Sequence, residues 1–110
     1  MSEAKETMRT ASSSKSSTAI EGIKQTILPV LRRHGITRAG IFGSVVRGEA
    51  TPESDVDILV ELDEQASLLD FIGIKLELED VLGRRVDLGQ YAAIKPGLRD
   101  RIIREEVRIL

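Results

Sequence analysis

A mixed α+β fold is what this sequence predicts: a small mixed sheet flanked by helices, in the order α-β-α-β-α-β-α. Three observations carry that expectation. Three short runs rich in aliphatic residues, TRAGIF, DVDILVEL and RRVDL, read as strands set off by glycines and turn residues. Stretches with apolar residues at helical spacing lie before, between and after them. The 110 residues amount to one domain, able to bury about two-thirds of its surface around one modest core.

Residues 1–17 (MSEAKETMRTASSSKSS) hold almost nothing apolar and are expected to form a flexible tail, leaving 18–110 as the domain. The first helix is expected from Thr18, with Glu21 as its capping-box partner. Ile20, Ile23, Ile27 and Leu31 then share one face. Pro29 inside this pattern predicts a kink or an early end, and Gly35 a C-terminal stop. Residues 37–42 read as a strand, Gly43-Ser44 as a junction, and Val45 to Gly48 as a short helical turn. After a loop at 50–54, Asp55 to Leu62 is the best strand in the chain, followed by a turn at 63–66.

Ser67 and Asp70 form a second capping signature, for a helix over 67–82 that Gly83 stops. Its apolar residues make two adjacent stripes, wider than packing on one sheet requires. Leu68, Phe71, Leu78 and Leu82 are assigned to the sheet; Leu69, Ile72 and Leu76 are assigned to contact with another chain. Residues 84–88 read as a third strand, and Pro96 as the first residue of a last helix carrying Leu98, Ile102 and Ile103.

Composition narrows the chemistry. Zero cysteines exclude disulfides, thiolate catalysis and Cys-ligated metals. A single histidine, His34, excludes histidine clusters and is expected on the surface near a helix end. Aromatics are 3% of the chain, too few for base-stacking platforms, so nucleic acid is not the expected partner. No apolar run approaches the length of a membrane span and no signal peptide is evident, so a cytoplasmic protein is expected. Residues 48–80 hold eleven acidic side chains against one basic, a block of charge −10 inside a chain of net charge −2. Such a block repels phosphates unless cations neutralise it.

The chemistry centres on Gly43-Ser44, ten residues, then Asp55-Val56-Asp57. Side chains alternate along a strand, so Asp55 and Asp57 point to one face and Val56, Ile58 and Val60 to the other. Two like charges side by side invite a divalent cation, and Mg²⁺ takes one or two carboxylates together with substrate phosphates. Glycine lets a ligand approach the backbone, the first helical turn offers N–H groups to an anion, and serine adds a hydroxyl. The ten-residue spacer must fold back to bring the end of one strand to the start of the next. That predicts adjacent antiparallel strands with a phosphate cradle facing a metal site. Asp87 in the third strand could add a third carboxylate to that surface.

The segment GSVVRGEATPESDVDILVEL resembles the signature of the DNA polymerase β-type nucleotidyltransferase superfamily. It is most similar to the minimal nucleotidyltransferase (MNT) domain proteins, found as antitoxins beside HEPN-domain toxins. Gly43, Ser44, Asp55 and Asp57 complete the GSx10DxD pattern; Arg47, Gly48 and Ser54 meet its extended form. The resemblance runs from about residue 20 to the KPGLRDRIIRE tail. It implies a polymerase β-like fold and transfer of a nucleoside monophosphate from an NTP to a hydroxyl. It further implies two Mg²⁺ ions on Asp55 and Asp57, with Asp87 as a further ligand or proton acceptor. Gly43 and Ser44 would hold the triphosphate, and Arg47 would touch phosphate or anchor its helix. In the family's pairs the nucleotide is AMP from ATP and the acceptor a tyrosine of the HEPN toxin. His34-Gly35-Ile36 does not match the toxin's own motif, so the chain reads as the antitoxin side.

Two competing functions stand beside this one. An antitoxin acting by contact alone would not need the Asp55/Asp57/Asp87 set. Transfer onto a small molecule such as an aminoglycoside would call for a second domain to hold the acceptor. Homo-oligomerisation through the wide helix face remains open. Tyr91 is expected to pack, and Arg99, Arg101, Arg104 and Arg108 to form a solvated face or a dock for an acidic partner.

Overall fold

The structure, a computed structural model, describes residues 15–51 and 53–110; most of the tail expected over 1–17 lies outside the described residues. Its elements are α1 (Lys15–Arg33), β1 (Ala39–Phe42), α2 (Ser44–Arg47), β2 (Val56–Val60), α3 (Leu68–Leu82), β3 (Val86–Gln90), a 3₁₀ turn (Tyr91–Ala93), α4 (Pro96–Glu105) and β4 (Val107–Arg108). The expected order is present, with one strand added at the end.

Helix α1 begins three residues before the expected Thr18, so Thr18 lies inside it and not at its cap. It also runs through Pro29 to Arg33. Proline removes one backbone bond, to the carbonyl four residues earlier. Pro29 and Gln25 both lie on the exposed side, where water can satisfy that carbonyl. The helix stops where expected. Ile36 N–H donates to the Leu31 carbonyl (3.0 Å) and Gly35 N–H to that of Arg32 (3.0 Å). This is a Schellman motif, with Gly35 at φ 73°.

The capping box at the start of α3 forms as read. Asp70 N–H donates to Ser67 Oγ (3.1 Å) and Ser67 N–H to Asp70 Oδ2 (2.8 Å). Ile74 and Leu78 are its buried residues, with Phe71 and Leu82 packed at their sides. Leu69, Ile72 and Leu76 are exposed, as assigned. Leu68 is also exposed (72%), against the expectation that it faces the sheet. At 3.6 residues per turn it lies about 120° round the helix from Ile74. Ile74 takes the core position that neither stripe included.

The sheet has the order β3-β2-β1-β4. Strands β1 and β2 are antiparallel, with Phe42 opposite Asp57 and Ile41 opposite Ile58. Strand β3 runs parallel to β2 and sets Asp87 beside Asp57. Strand β4 pairs with the other edge of β1, Gly40 opposite Arg108. The main core lies on one face. There Ile41, Val56, Ile58, Val60, Val86 and Leu88 meet Ile23, Ile27 and Leu31 of α1 and Ile74 and Leu78 of α3.

The other face carries Gly40, Phe42, Asp57, Leu59, Asp87 and Gly89, by strand alternation from the same register. The crossover from β2 to β3 puts α3 on the core side. The crossover from β3 to β4 travels the opposite way, so right-handedness carries α4 over the carboxylate side. In keeping with that, the Glu106 side chain lies directly over Gly40, where any Cβ would overlap it. Tyr91 is buried and its hydroxyl donates to Glu106 Oε2, so it packs as expected. The Arg38 guanidinium stacks 4.0 Å from the Tyr91 ring centroid.

Candidate active site

Three chain segments meet at one end of the carboxylate face. Strand β1 delivers Gly43, β2 delivers Asp57 just after Asp55, and β3 delivers Asp87. Gly43 sits at φ 81°, ψ −149°, a region essentially closed to residues with a side chain. Its missing Cβ is also a matter of space. A Cβ there would overlap Asp57 Oδ2, so the backbone of the junction rests against the carboxylate. Ser44 follows at once as the first residue of α2, half-buried. Glycine is thus required twice over, by its own dihedrals and by the neighbouring strand.

Asp57 and Asp87 stand abreast in the parallel register, within hydrogen-bonding reach of one another. Burial pushes the Asp57 carboxyl above the usual carboxylate range. The charge of Asp87, its hydrogen bond and the charge of Asp55 push it further, while Arg47 pulls it back. A carboxylate pair held this way needs a proton or a cation between its oxygens. The donor set is all hard oxygen, which suits Mg²⁺. Among the described residues no three His, Cys, Asp or Glu side chains are grouped so as to hold a metal ion. The Asp57–Asp87 pair offers part of a coordination shell, and Mg²⁺ commonly takes the rest from phosphate oxygens and water.

Asp55 lies just before β2, outside the strand ladder, and its Oδ1 pairs with Arg85 Nε at 3.3 Å. Arg47 projects from α2 toward this cluster. Its Nε donates to Glu49 (3.0 Å), and its Nη1 is 3.8 Å from Glu105 at the end of α4. All six residues singled out in the sequence therefore lie around one end of the sheet. Asp57, Asp87 and Gly43 are in direct proximity. Asp55 and Arg47 each have a counter-ion of their own. Arg85, Glu49 and Glu105 were not anticipated. The adjacent Arg84-Arg85 pair just before VDL was the one available hint. His34 is exposed, with Nε2 2.8 Å from Glu77 on α3.

Residues 23–110 match the model of the nucleotidyltransferase domain family. A Methanocaldococcus jannaschii protein named as a candidate protein adenylyltransferase is 52% identical over 91 residues, 83% of this chain and 98% of its own. The chain belongs to the nucleotidyltransferase domain family. A solved structure described as a candidate minimal nucleotidyltransferase superposes with a TM-score of 0.71 at 40% identity, over 82% of this chain and 92% of that one. An MNT antitoxin bound to the tri-AMPylated HEPN toxin of Shewanella oneidensis superposes with a TM-score of 0.64 at 17% identity. It covers 82% of this chain and 71% of that one, a likeness of fold. The polymerase β-like fold expected of this nucleotidyltransferase is therefore the one it has. No described helix is long and apolar enough to cross a membrane.

Proposed function

We propose that this nucleotidyltransferase moves AMP from ATP onto a tyrosine hydroxyl of a HEPN-type toxin and so acts as its antitoxin. The observation that carries this reading is the Asp57–Asp87 pair abreast on the sheet face, with the Gly43 backbone resting on Asp57. The protein adenylyltransferase name of the M. jannaschii relative supports AMP and a protein acceptor. The HEPN complex of a structural neighbour supports the kind of partner. Residues 18–110 are the proposed catalytic unit.

Asp57 and Asp87, joined by Asp55 once it leaves its Arg85 pair, are the residues that would hold two Mg²⁺ ions. Bound there, Mg²⁺ offsets the charge of the triphosphate and lowers the pKa of the acceptor hydroxyl. The Gly43 backbone and the Ser44 hydroxyl receive the triphosphate, and Arg47 swings from Glu49 and Glu105 to meet it. Asp87 would ligate the second ion or take the acceptor proton. The acceptor oxygen bonds to the α-phosphorus as the α–β bridging bond breaks, and pyrophosphate leaves.

Incubation with α-labelled ATP, Mg²⁺ and the HEPN partner tests this directly. Label covalently attached to the partner is expected, and it should vanish on chelation of the metal. A tight complex without label would replace the enzyme with an antitoxin that acts by contact.

The outward stripe of α3 is the proposed partner face. Ile72 is 39% exposed and Leu76 57%, while Leu78 is fully buried. Ile72→Glu should weaken the complex in size-exclusion chromatography and leave the circular dichroism unchanged. Leu78→Glu should unfold the domain, because it buries an unpaired charge. An Ile72→Glu protein that unfolds, or that keeps every complex intact, would reject this face.

A further inference from the structure

Asp55 carries a proposed cation ligand on a stretch of chain that the sheet does not fix. Strand β2 begins only at Val56. What fixes the backbone on either side of Asp55 comes from Arg84 and Arg85, thirty residues on. Arg84 Nη2 donates to the Ser54 carbonyl at 2.7 Å and to the Thr51 carbonyl at 3.0 Å. The Ser54 carbonyl belongs to the peptide unit that enters Asp55. The Arg85 carbonyl accepts from Val56 N–H at 3.0 Å, and that N–H belongs to the peptide unit that leaves Asp55. Both planes flanking the residue are thus held from the segment just before β3, which restrains its φ and ψ.

The segment that Arg84 grips is itself closed by short bonds. Ser54 N–H donates to the Thr51 carbonyl (3.0 Å), and Thr51 N–H to Ser54 Oγ (2.9 Å). A guanidinium across both carbonyls pins the turn as a unit. Among the described residues no carboxylate lies within ion-pairing distance of Arg84, and its Nε is buried without a hydrogen-bond partner. A half-buried cation that meets only peptide carbonyls serves the backbone it touches. A charge-assisted bond of this kind is worth more than a neutral one.

We propose that Arg84 is a positioning residue: by clamping the Thr51 and Ser54 carbonyls it holds the Asp55 carboxylate where it must be to share a divalent cation with Asp57. Because this role presupposes Asp55 as a cation ligand, the test pairs one measurement that depends on that reading with one that does not.

The full chain is compared with Arg84→Ala and Arg84→Lys. Hydrogen exchange reads the Ser54 and Val56 amides, which donate to the Thr51 and Arg85 carbonyls. Thermal melting in AMP-PNP reads the Mg²⁺ concentration that gives half of the maximal stabilisation. Arg84→Ala should speed exchange at these two amides at least about tenfold, equivalent to about 1.4 kcal/mol. It should raise the Mg²⁺ requirement by a similar factor, with the melting temperature of the free protein nearly unchanged. Arg84→Lys, a single point donor in place of a fork, should fall between. Added guanidinium ion should lower the Mg²⁺ requirement of Arg84→Ala and not that of the wild type. Wild-type exchange together with a wild-type Mg²⁺ requirement in Arg84→Ala overturns the proposal. Should Arg84→Ala lose its fold, the same readings on Arg84→Lys decide, and wild-type values there overturn it. Global melting of both variants also overturns it, since Arg84 would then serve the fold and not Asp55. A wild-type protein that Mg²⁺ and AMP-PNP fail to stabilise would instead count against the nucleotide-transfer reading, while exchange still reports on the clamp.

Discussion

Gly43→Val should reduce AMP transfer at least about a thousandfold, a barrier increase of roughly 4 kcal/mol. Two separate faults produce the loss. Valine is excluded from φ 81°, ψ −149°, so the junction must take another path. Its Cβ would also overlap Asp57 Oδ2, so the carboxylate must move as well. The proposed phosphate cradle and the proposed metal ligand are therefore displaced together. Ser44→Ala removes one hydroxyl contact to a charged group, worth about 1.5–3 kcal/mol, and should leave activity that is readily measured. Steady-state rates with labelled ATP on the two variants give the comparison. Wild-type transfer by Gly43→Val would reduce the junction to a turn with no part in the chemistry.

Asp57→Asn should remove at least about a thousandfold of activity while leaving the free protein as stable as before, or more so. The sign follows from the direction of the shift. The folded-state pKa of Asp57 lies above its unfolded value, through burial first and then Asp87 and Asp55. Below the unfolded value both states are protonated and no penalty arises. As pH rises through the unfolded and then the folded value, the folded state bears a growing cost. Asparagine escapes that cost, so melting temperatures of wild type and variant should diverge upward across this window. Mg²⁺ with AMP-PNP should stabilise the wild type and not the Asp55→Asn/Asp57→Asn double variant. Equal stabilisation of both would remove these carboxylates from the ligand set.

Legibility in the sequence followed the range of the interactions. The Ser67–Asp70 box, the Gly35 and Gly83 stops and Pro96 at a helix start are all local, and each could be read from a few adjacent residues. The convergence of the candidate site's residues was legible because they form short motifs at fixed spacing, and alternation along β2 orients Asp57 without knowledge of the fold. What escaped was non-local. Two residues, Val107 and Arg108, are too few to carry a periodic pattern, and only their pairing with β1 makes them a strand. The exchange of Leu68 for Ile74 in the core reflects a helix with apolar residues on most of its surface, where spacing alone cannot choose the inner face. Arg84 on Ser54 and Glu106 over Gly40 join side chains to distant backbone and leave no trace in composition.

The place of β3 at the margin of the sheet has a bearing on solubility. An open strand edge with apolar side chains invites a second sheet to add to it, and proteins guard such edges with charge and brevity. Strand β3 reads VDLGQ, and Asp87 is its only charge. The carboxylate proposed for catalysis is thus also a charge that discourages edge-to-edge association, beside Glu79 of α3, which takes the Val86 N–H at 3.0 Å. In the proposed reading, chemistry and colloidal behaviour are coupled through one side chain. Asp87→Val would replace the strand's one charge with an exposed apolar side chain, and a loss of activity there would be confounded by aggregation. Asp87→Asn keeps a polar, poorly strand-forming residue at the margin and is the substitution that separates the two.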